Sequence, residues 1–260
     1  EVKKSFYQNK ENNNQKSKHW KRYDFRSFNP ENLKNFRLNG KLSDGLDDKD
    51  EKFSFKIFSE LVDKITESYL LDNLPKKNIG NCDNFIKYKG VFVDYNKLIQ
   101  IYWFWIIERQ VLKTNKISNV CEIGGGFGAN IHFLLTNFTN IKKVIYLDVV
   151  PNIYVGTEYL KYHFKDRVKD YLNTKGKKEI VFENNNDVEI ICIPPWEIQK
   201  IDVKIDHFHN AASFVEMPEK VVKNYIKFVN KFKTKEISLI SYDNFDKQTF
   251  DPNLLSKLFY

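Results

Sequence analysis

From Phe53 onward, apolar residues recur at Phe58, Leu61, Val62, Ile65 and Leu70, a helical spacing that gathers them on one face. A second helical pattern runs from Tyr95 to Val111. Beyond residue 118 the texture changes to short apolar runs alternating with helical stretches. SNVCEI, KKVIYLD, VEIICI, VKIDHFH and EISLIS predict strands, and Asn130 to Thr136, Asn152 to Phe164 and Pro218 to Phe232 predict helices. Strands interleaved with helices imply parallel pairing through right-handed crossovers, hence an open α/β sheet covered by helices on both faces. The first fifty residues, with ENNNQKSK and LNGKLSDGLDDKDEK, carry turn and linker signals without a sustained period. The expected division is a partly irregular, helical lead-in region over 1–112 and a sheet domain over 113–260. No internal repeat is visible.

Composition changes this picture little. The 260 residues suffice for one sizeable core, and 22 Phe, 14 Tyr and a hydrophobic share of 42% mark a folded chain. The formal charge of +8 could signal an acidic partner, but the lysines are spread along the whole chain without an arginine stripe or zinc-finger spacing. A nucleic-acid substrate is therefore not expected. Cys82, Cys121 and Cys192 are widely spaced, and two lie in apolar runs, as reduced structural thiols of a cytoplasmic protein would. The longest apolar stretch, LIQIYWFWII from Leu98 to Ile107, falls short of the roughly 20 residues that span a bilayer, and no signal-peptide pattern is visible. A cytoplasmic protein is the expectation.

The chemistry concentrates at VCEIGGGFGANI, residues 120–131, where an apolar run ends in an acid and a glycine cluster. Such a turn between strand and helix lets backbone approach a ligand, and three ligands compete for it. A triphosphate loop needs Lys and Ser or Thr after its last glycine, whereas Ala129, Asn130 and Ile131 follow Gly128. A dinucleotide is closer: Gly124, Gly126 and Ala129 satisfy G-x-G-x-x-A, and Asp148 follows about twenty residues later at a strand end. Against it stands Glu122, whose carboxylate would face the pyrophosphate in a site built to attract anions. S-adenosylmethionine has no phosphates, carries an ammonium and a sulfonium, and presents a ribose diol that Asp148 could accept from. EIGGGFG is the (D/E)-x-G-x-G-x-G pattern suited to it.

EIGGGFGANIHFLL, IYLDVVPNIYVGTEYLKYHF and IDHFHNAASFVEM resemble the sugar O-methyltransferases of bacterial surface-polysaccharide (capsule) gene clusters. The resemblance covers roughly residues 90 to 245, and N-x-x-S-F-x-E-M, from Asn210 to Met217, is its more specific part. It implies a Rossmann-like class I methyltransferase fold with an N-terminal helical lobe, and S-adenosyl-L-methionine as cofactor. Glu122, Gly124, Gly125, Gly126, Gly128, Asp148, Val149, Pro195, Trp196 and Asn210 would contact that cofactor, and the segment from Asn210 to Glu216 would face its methyl group. The acceptor would be a hydroxyl of a sugar, nucleotide sugar or other surface-polysaccharide precursor. Where the family tends to have apolar residues before the Asn, this chain has His207 and His209, so the base stays open.

Methyl transfer to a hydroxyl needs alignment and a group that takes the proton. The candidates are His209, Glu216 and His207. Histidine titrates near working pH, side-chain alternation puts His207 and His209 on one face, and His209 lies nearer the open strand end. Both also suit a packed interior. Glu216, before Pro218, suits a first helical turn or the hold on sugar hydroxyls. In PPWE, residues 194–197, Trp196 could stack on adenine or a sugar ring, or cover the sheet edge. His19, His132 and His163 have no ligand-spaced partner and read as structural. No Cys or His cluster has zinc spacing; a divalent ion on a diol beside acids such as Asp206 stays open. Two rival readings remain: a nicotinamide-dependent oxidoreductase and a non-catalytic binding protein of the same fold.

Overall fold

The computed structural model describes residues 29–38, 51–110, 117–242 and 249–257. The expected irregular structure over the first fifty residues, His19 included, falls largely outside them. The described residues fall into two compact units, which part between residues 113 and 114.

In the unit before that point, α1 (Pro30–Lys34) starts at Asn29, whose side chain accepts from the Asn32 amide. The long helical pattern from Phe53 is two helices, α2 (Glu51–Lys64) and α3 (Glu67–Asn73). They part at Thr66, whose hydroxyl accepts from the Tyr69 amide and so caps the second helix. A hairpin that periodicity did not reveal follows, β1 (Ile86–Tyr88) and β2 (Val91–Val93), turning through Lys89 and Gly90 at positive φ. Helix α4 (Tyr95–Gln110) completes the unit and packs against α2 through Tyr95 and Phe53.

The second unit follows the predicted alternation: β3 (Asn119–Ile123), α5 (Ala129–Asn137), β4 (Lys143–Leu147), α6 (Asn152–Phe164), β5 (Val168–Lys169), α7 (Tyr171–Thr174), β6 (Glu189–Ile193), β7 (His207–Ala211), α8 (Glu219–Lys231) and β8 (Glu236–Ile240). These strands form one sheet in the order β5-β6-β4-β3-β7-β8, every pairing parallel. Chain order reverses at β3: β4 and β6 run outward on one side, β7 and β8 on the other, as in a Rossmann-like doubly wound sheet with one extra two-residue edge strand. The Rossmann-like α/β fold expected from the sequence is the one observed.

Register separates the two faces. Cys121, Ile123, Ile145, Leu147, Ile191, Ile193 and Phe208 join Val222, Tyr225, Ile226 and Val229 of α8 in one apolar core. On the opposite face a row crosses the sheet through Cys192, Tyr146, Glu122, His209 and Ser238, each directly beside the next. Helix α6 covers that face at Tyr146, where Gly156 lets the helix backbone close on the phenol, and α5 leans on α6 through Gly128 and Leu160.

Candidate functional site

The glycine turn leaves β3 at its carboxyl end, beside the point where strand order reverses, the position where such sheets bind ligands. It is held from every side. The Gly124 amide donates to Leu147 O at 2.7 Å, the Gly126 amide to Asp148 Oδ2 at 2.7 Å, and the Tyr146 hydroxyl to Gly126 O. Gly124 has φ +74, and a Cβ there would overlap the Ser213 side chain, so no other residue fits. Gly126 also has a positive φ, +59, but open space lies over it, as a turn that admits a ligand requires.

Glu122 sits under this turn with 0% exposure. Its Oε1 accepts from Asn130 Nδ2 at 2.7 Å, and its Oε2 is buried without a hydrogen-bond partner. A Cβ on Gly125 would lie 2.5 Å from that Oε2, which places the unsatisfied oxygen against the turn. Burial pushes the carboxyl up to about 7, against the opposing bond from Asn130. Asp148, 5% exposed, follows β4 and accepts from the Gly126 amide through Oδ2 and from the Val149 amide through Oδ1 at 2.6 Å. Burial drives it up to about 8 despite those two donors, helped by the charges of Glu122 and Glu216. Both oxygens keep lone pairs for further donors.

Asn210 and Ser213 brace the site. Asn210 Nδ2 donates to Ile123 O at 2.7 Å and to Ser213 Oγ at 2.6 Å, while Ser213 Oγ donates to Ile123 O at 3.1 Å. The Asn210 side-chain oxygen Oδ1 accepts from the Phe214 amide. The N-x-x-S pairing thus ties the turn after β7 onto the last carbonyl before the glycines. Ala212, in the left-handed region at φ +62, swings the chain into the short 3₁₀ turn Ser213–Glu216. Glu216 is half-buried there and accepts from the Tyr242 hydroxyl at 3.0 Å. Beyond β6, Pro195 is buried and Trp196 half-buried, its ring edge-to-face with Tyr171 at 5.9 Å. Because Ile193 is paired with Leu147, this turn begins beside Asp148.

The carboxyl ends of the strands therefore bring together Glu122, Gly124, Gly125, Gly126, Gly128, Asp148, Val149, Pro195, Trp196, Asn210 and Glu216. His207 and His209 differ from expectation. Both are 0% exposed and bond through Nε2 and Nδ1 respectively to one hydroxyl, Ser238 Oγ, at 2.8 and 2.6 Å. Burial lowers them to about 4 and about 3. His209 lies one position before Asn210, but alternation puts its ring on the opposite face, in the row between Glu122 and Ser238, where the bond to Ser238 encloses it. Asp206 also departs from its expected place near the site: it precedes β7 at the amino end, accepting from the Ser118 and Asn119 amides and from Lys235. Among the described residues no group of three or more His, Cys, Asp or Glu side chains is arranged to hold a metal ion, and no helix is long and apolar enough to cross a membrane. His132 and His163 stack at 3.8 Å between α5 and α6, with His132 bonded to Tyr159.

Asn130, Tyr146 and Tyr242 were missed by sequence reasoning. The first-turn position of Asn130 after an acid–glycine strand end could have pointed to it. Tyr146 follows from register, and Tyr242 needs the pairing of β7 with β8.

No family profile and no curated protein matches the chain. Solved structures to which it is similar include the mitomycin 7-O-methyltransferase MmcR, at 12% identity and TM-score 0.36, with 63% of this chain and 44% of that one covered. The pyocyanin biosynthetic protein PhzM gives 11% identity and TM-score 0.37, with 63% and 45% covered. The cyclopropane synthase MmaA2 from Mycobacterium tuberculosis gives 11% identity and TM-score 0.32, with 50% and 38% covered. The chain thus spans less than half the length of these structures, and its chemistry has to be argued from its own site.

Proposed function

We propose that the chain is an S-adenosylmethionine-dependent O-methyltransferase of the class I kind, acting on a hydroxyl of a sugar or nucleotide-linked sugar. The observation that carries this reading is Glu122: a buried carboxylate with an unsatisfied oxygen, set against a glycine turn open at Gly126. An uncompensated buried acid is costly, and a cationic ligand relieves that cost, whereas a pyrophosphate would add to it. The residues therefore fit the sulfonium cofactor better than a dinucleotide. Glu122 and the backbone of Gly124 to Gly126 would hold its charged end, Asp148 its ribose diol, and Val149, Pro195 and Trp196 its base.

When bound, S-adenosylmethionine supplies a methyl group on a positively charged sulfur, and transfer to a hydroxyl leaves one proton to be taken up. Glu216 is the group for that proton, since it is half-buried at the strand ends while His207 and His209 are enclosed and hard to protonate. Asn210 and Ser213 keep the Glu216 turn in fixed relation to the glycines. The sugar acceptor rests on the resemblance of the N-x-x-S-F-x-E-M segment.

Calorimetric titration with S-adenosylhomocysteine and with NAD tests the cofactor, with binding expected for the first alone. Heat with NAD and none with S-adenosylhomocysteine would favour the oxidoreductase reading. Mass analysis of methyl uptake by UDP-, GDP- and dTDP-linked hexoses tests the acceptor.

A further inference from the structure

We propose that Tyr242 is a positioning residue that aims the Glu216 carboxylate at the acceptor hydroxyl, an inference resting on the methyl-transfer reading of the site. Tyr242 lies just past β8, and β8 is the neighbour of β7: Ala211 is paired with Ile240, and the Ala212 amide donates to Ile240 O at 2.8 Å. This pairing carries the segment after β8 alongside the Ser213–Glu216 turn, where the Tyr242 hydroxyl donates to Glu216 Oε1 at 3.0 Å. The same turn is gripped a second time from the C-terminal stretch, by the Phe250 amide donating to Met217 O at 2.9 Å, with the Phe250 ring sunk in the apolar core. Main chain and carboxylate of the turn are thus fixed by separate contacts.

A base works only within hydrogen-bond reach of the proton it takes, and small displacements cost large factors in rate. A carboxylate held by a donor cannot swing freely. The phenol stays a donor, because partial burial and then the negative charge of Glu216 push it well above the ordinary tyrosine range. Among the described residues, Asp148 also feels the charge of Glu216, which raises its carboxyl. Tyr242 is 41% exposed.

The test is Tyr242→Phe in the full chain, which removes the hydroxyl and keeps the ring. In protein labelled at the glutamate carboxyl carbons, with the Glu216 signal assigned by Glu216→Gln, loss of the donor is expected to raise the Glu216 pKa by about half a unit to one unit. The thermal midpoint and S-adenosylhomocysteine affinity are expected to stay as in the wild type. With S-adenosylmethionine and pooled UDP-, GDP- and dTDP-linked hexoses, kcat is expected to fall about tenfold, with KM for the cofactor unchanged. An unmoved Glu216 titration overturns the inference whatever the activity, and a variant that melts earlier or loses S-adenosylhomocysteine makes Tyr242 a structural strut and overturns it too. Wild-type protein that fails to bind S-adenosylhomocysteine overturns the cofactor reading, and this role with it.

Discussion

At the scale of the residue, Glu122 is held where it is least comfortable. Its folded-state carboxyl, near 7, lies above the ordinary glutamate range, so between about pH 4.5 and 7 the folded chain binds more protons than the unfolded one. The stability tied to this acid is therefore fully present below about pH 4.5 and lost as pH rises through 7. Glu122→Gln keeps the shape and removes the charge; at pH 8 the ligand-free variant is expected to be more stable than wild type by on the order of 1–3 kcal/mol. It should also bind S-adenosylhomocysteine at least tenfold more weakly, on the order of one charge-assisted contact. Urea denaturation at pH 5 and 8 with calorimetry checks both, and a variant destabilised at pH 8 would contradict the assignment. The sequence made the acid legible, because its charge separated the two ligands still competing for the glycines once Ala129 and Asn130 had excluded a triphosphate. It could not show that Oε2 lacks a partner, since that depends on Asn130 reaching only Oε1.

At the scale of the element, β7 shows where pattern reading stops. Alternation correctly put His207 and His209 on one face, but it is silent on what covers that face. Both rings meet Ser238 on β8 in a fully buried row. The expected strand VKIDHFH begins only at His207, and Asp206 spends its carboxylate on the Ser118 and Asn119 amides at the start of the adjacent β3. β5 is too short to show any period, and the β1–β2 hairpin needed its Lys89–Gly90 turn to be weighed as a turn signal. Ser238→Ala is expected to cost about 1–3 kcal/mol in urea denaturation by stripping one shared hydroxyl from two buried rings. Both histidines titrate below their ordinary value. Their share of stability is thus intact above about pH 6.5 and drains away as pH falls towards 4 and 3, a slope opposite to that of Glu122.

At the scale of the whole molecule, these slopes meet ligand binding. A cation brought to Glu122 and a diol to Asp148 favour the ionised acids, so cofactor binding is expected to expel about one proton between pH 7 and 8. Titrating S-adenosylhomocysteine in phosphate and in Tris at equal pH should give apparent enthalpies that differ by that proton, and identical enthalpies would mean the acids are already ionised in the free protein. At a hundredfold excess over Kd the ligand should add about 2.7 kcal/mol of stability. The α/β alternation of residues 118–241 was legible because each strand and helix carries its own period. The brace from Asn210 and Ser213 to Ile123 was not, because it joins groups nearly ninety positions apart. The row from Cys192 to Ser238 also has a bearing on how the sheet assembles. A slip of one residue in β3 or β7 would turn Glu122 or His209 toward Val222 and Ile226, among groups that can neither pair with them nor hydrate them. The residues that burden the finished sheet thereby act as a key, making misaligned pairings of its central strands worse than the correct one.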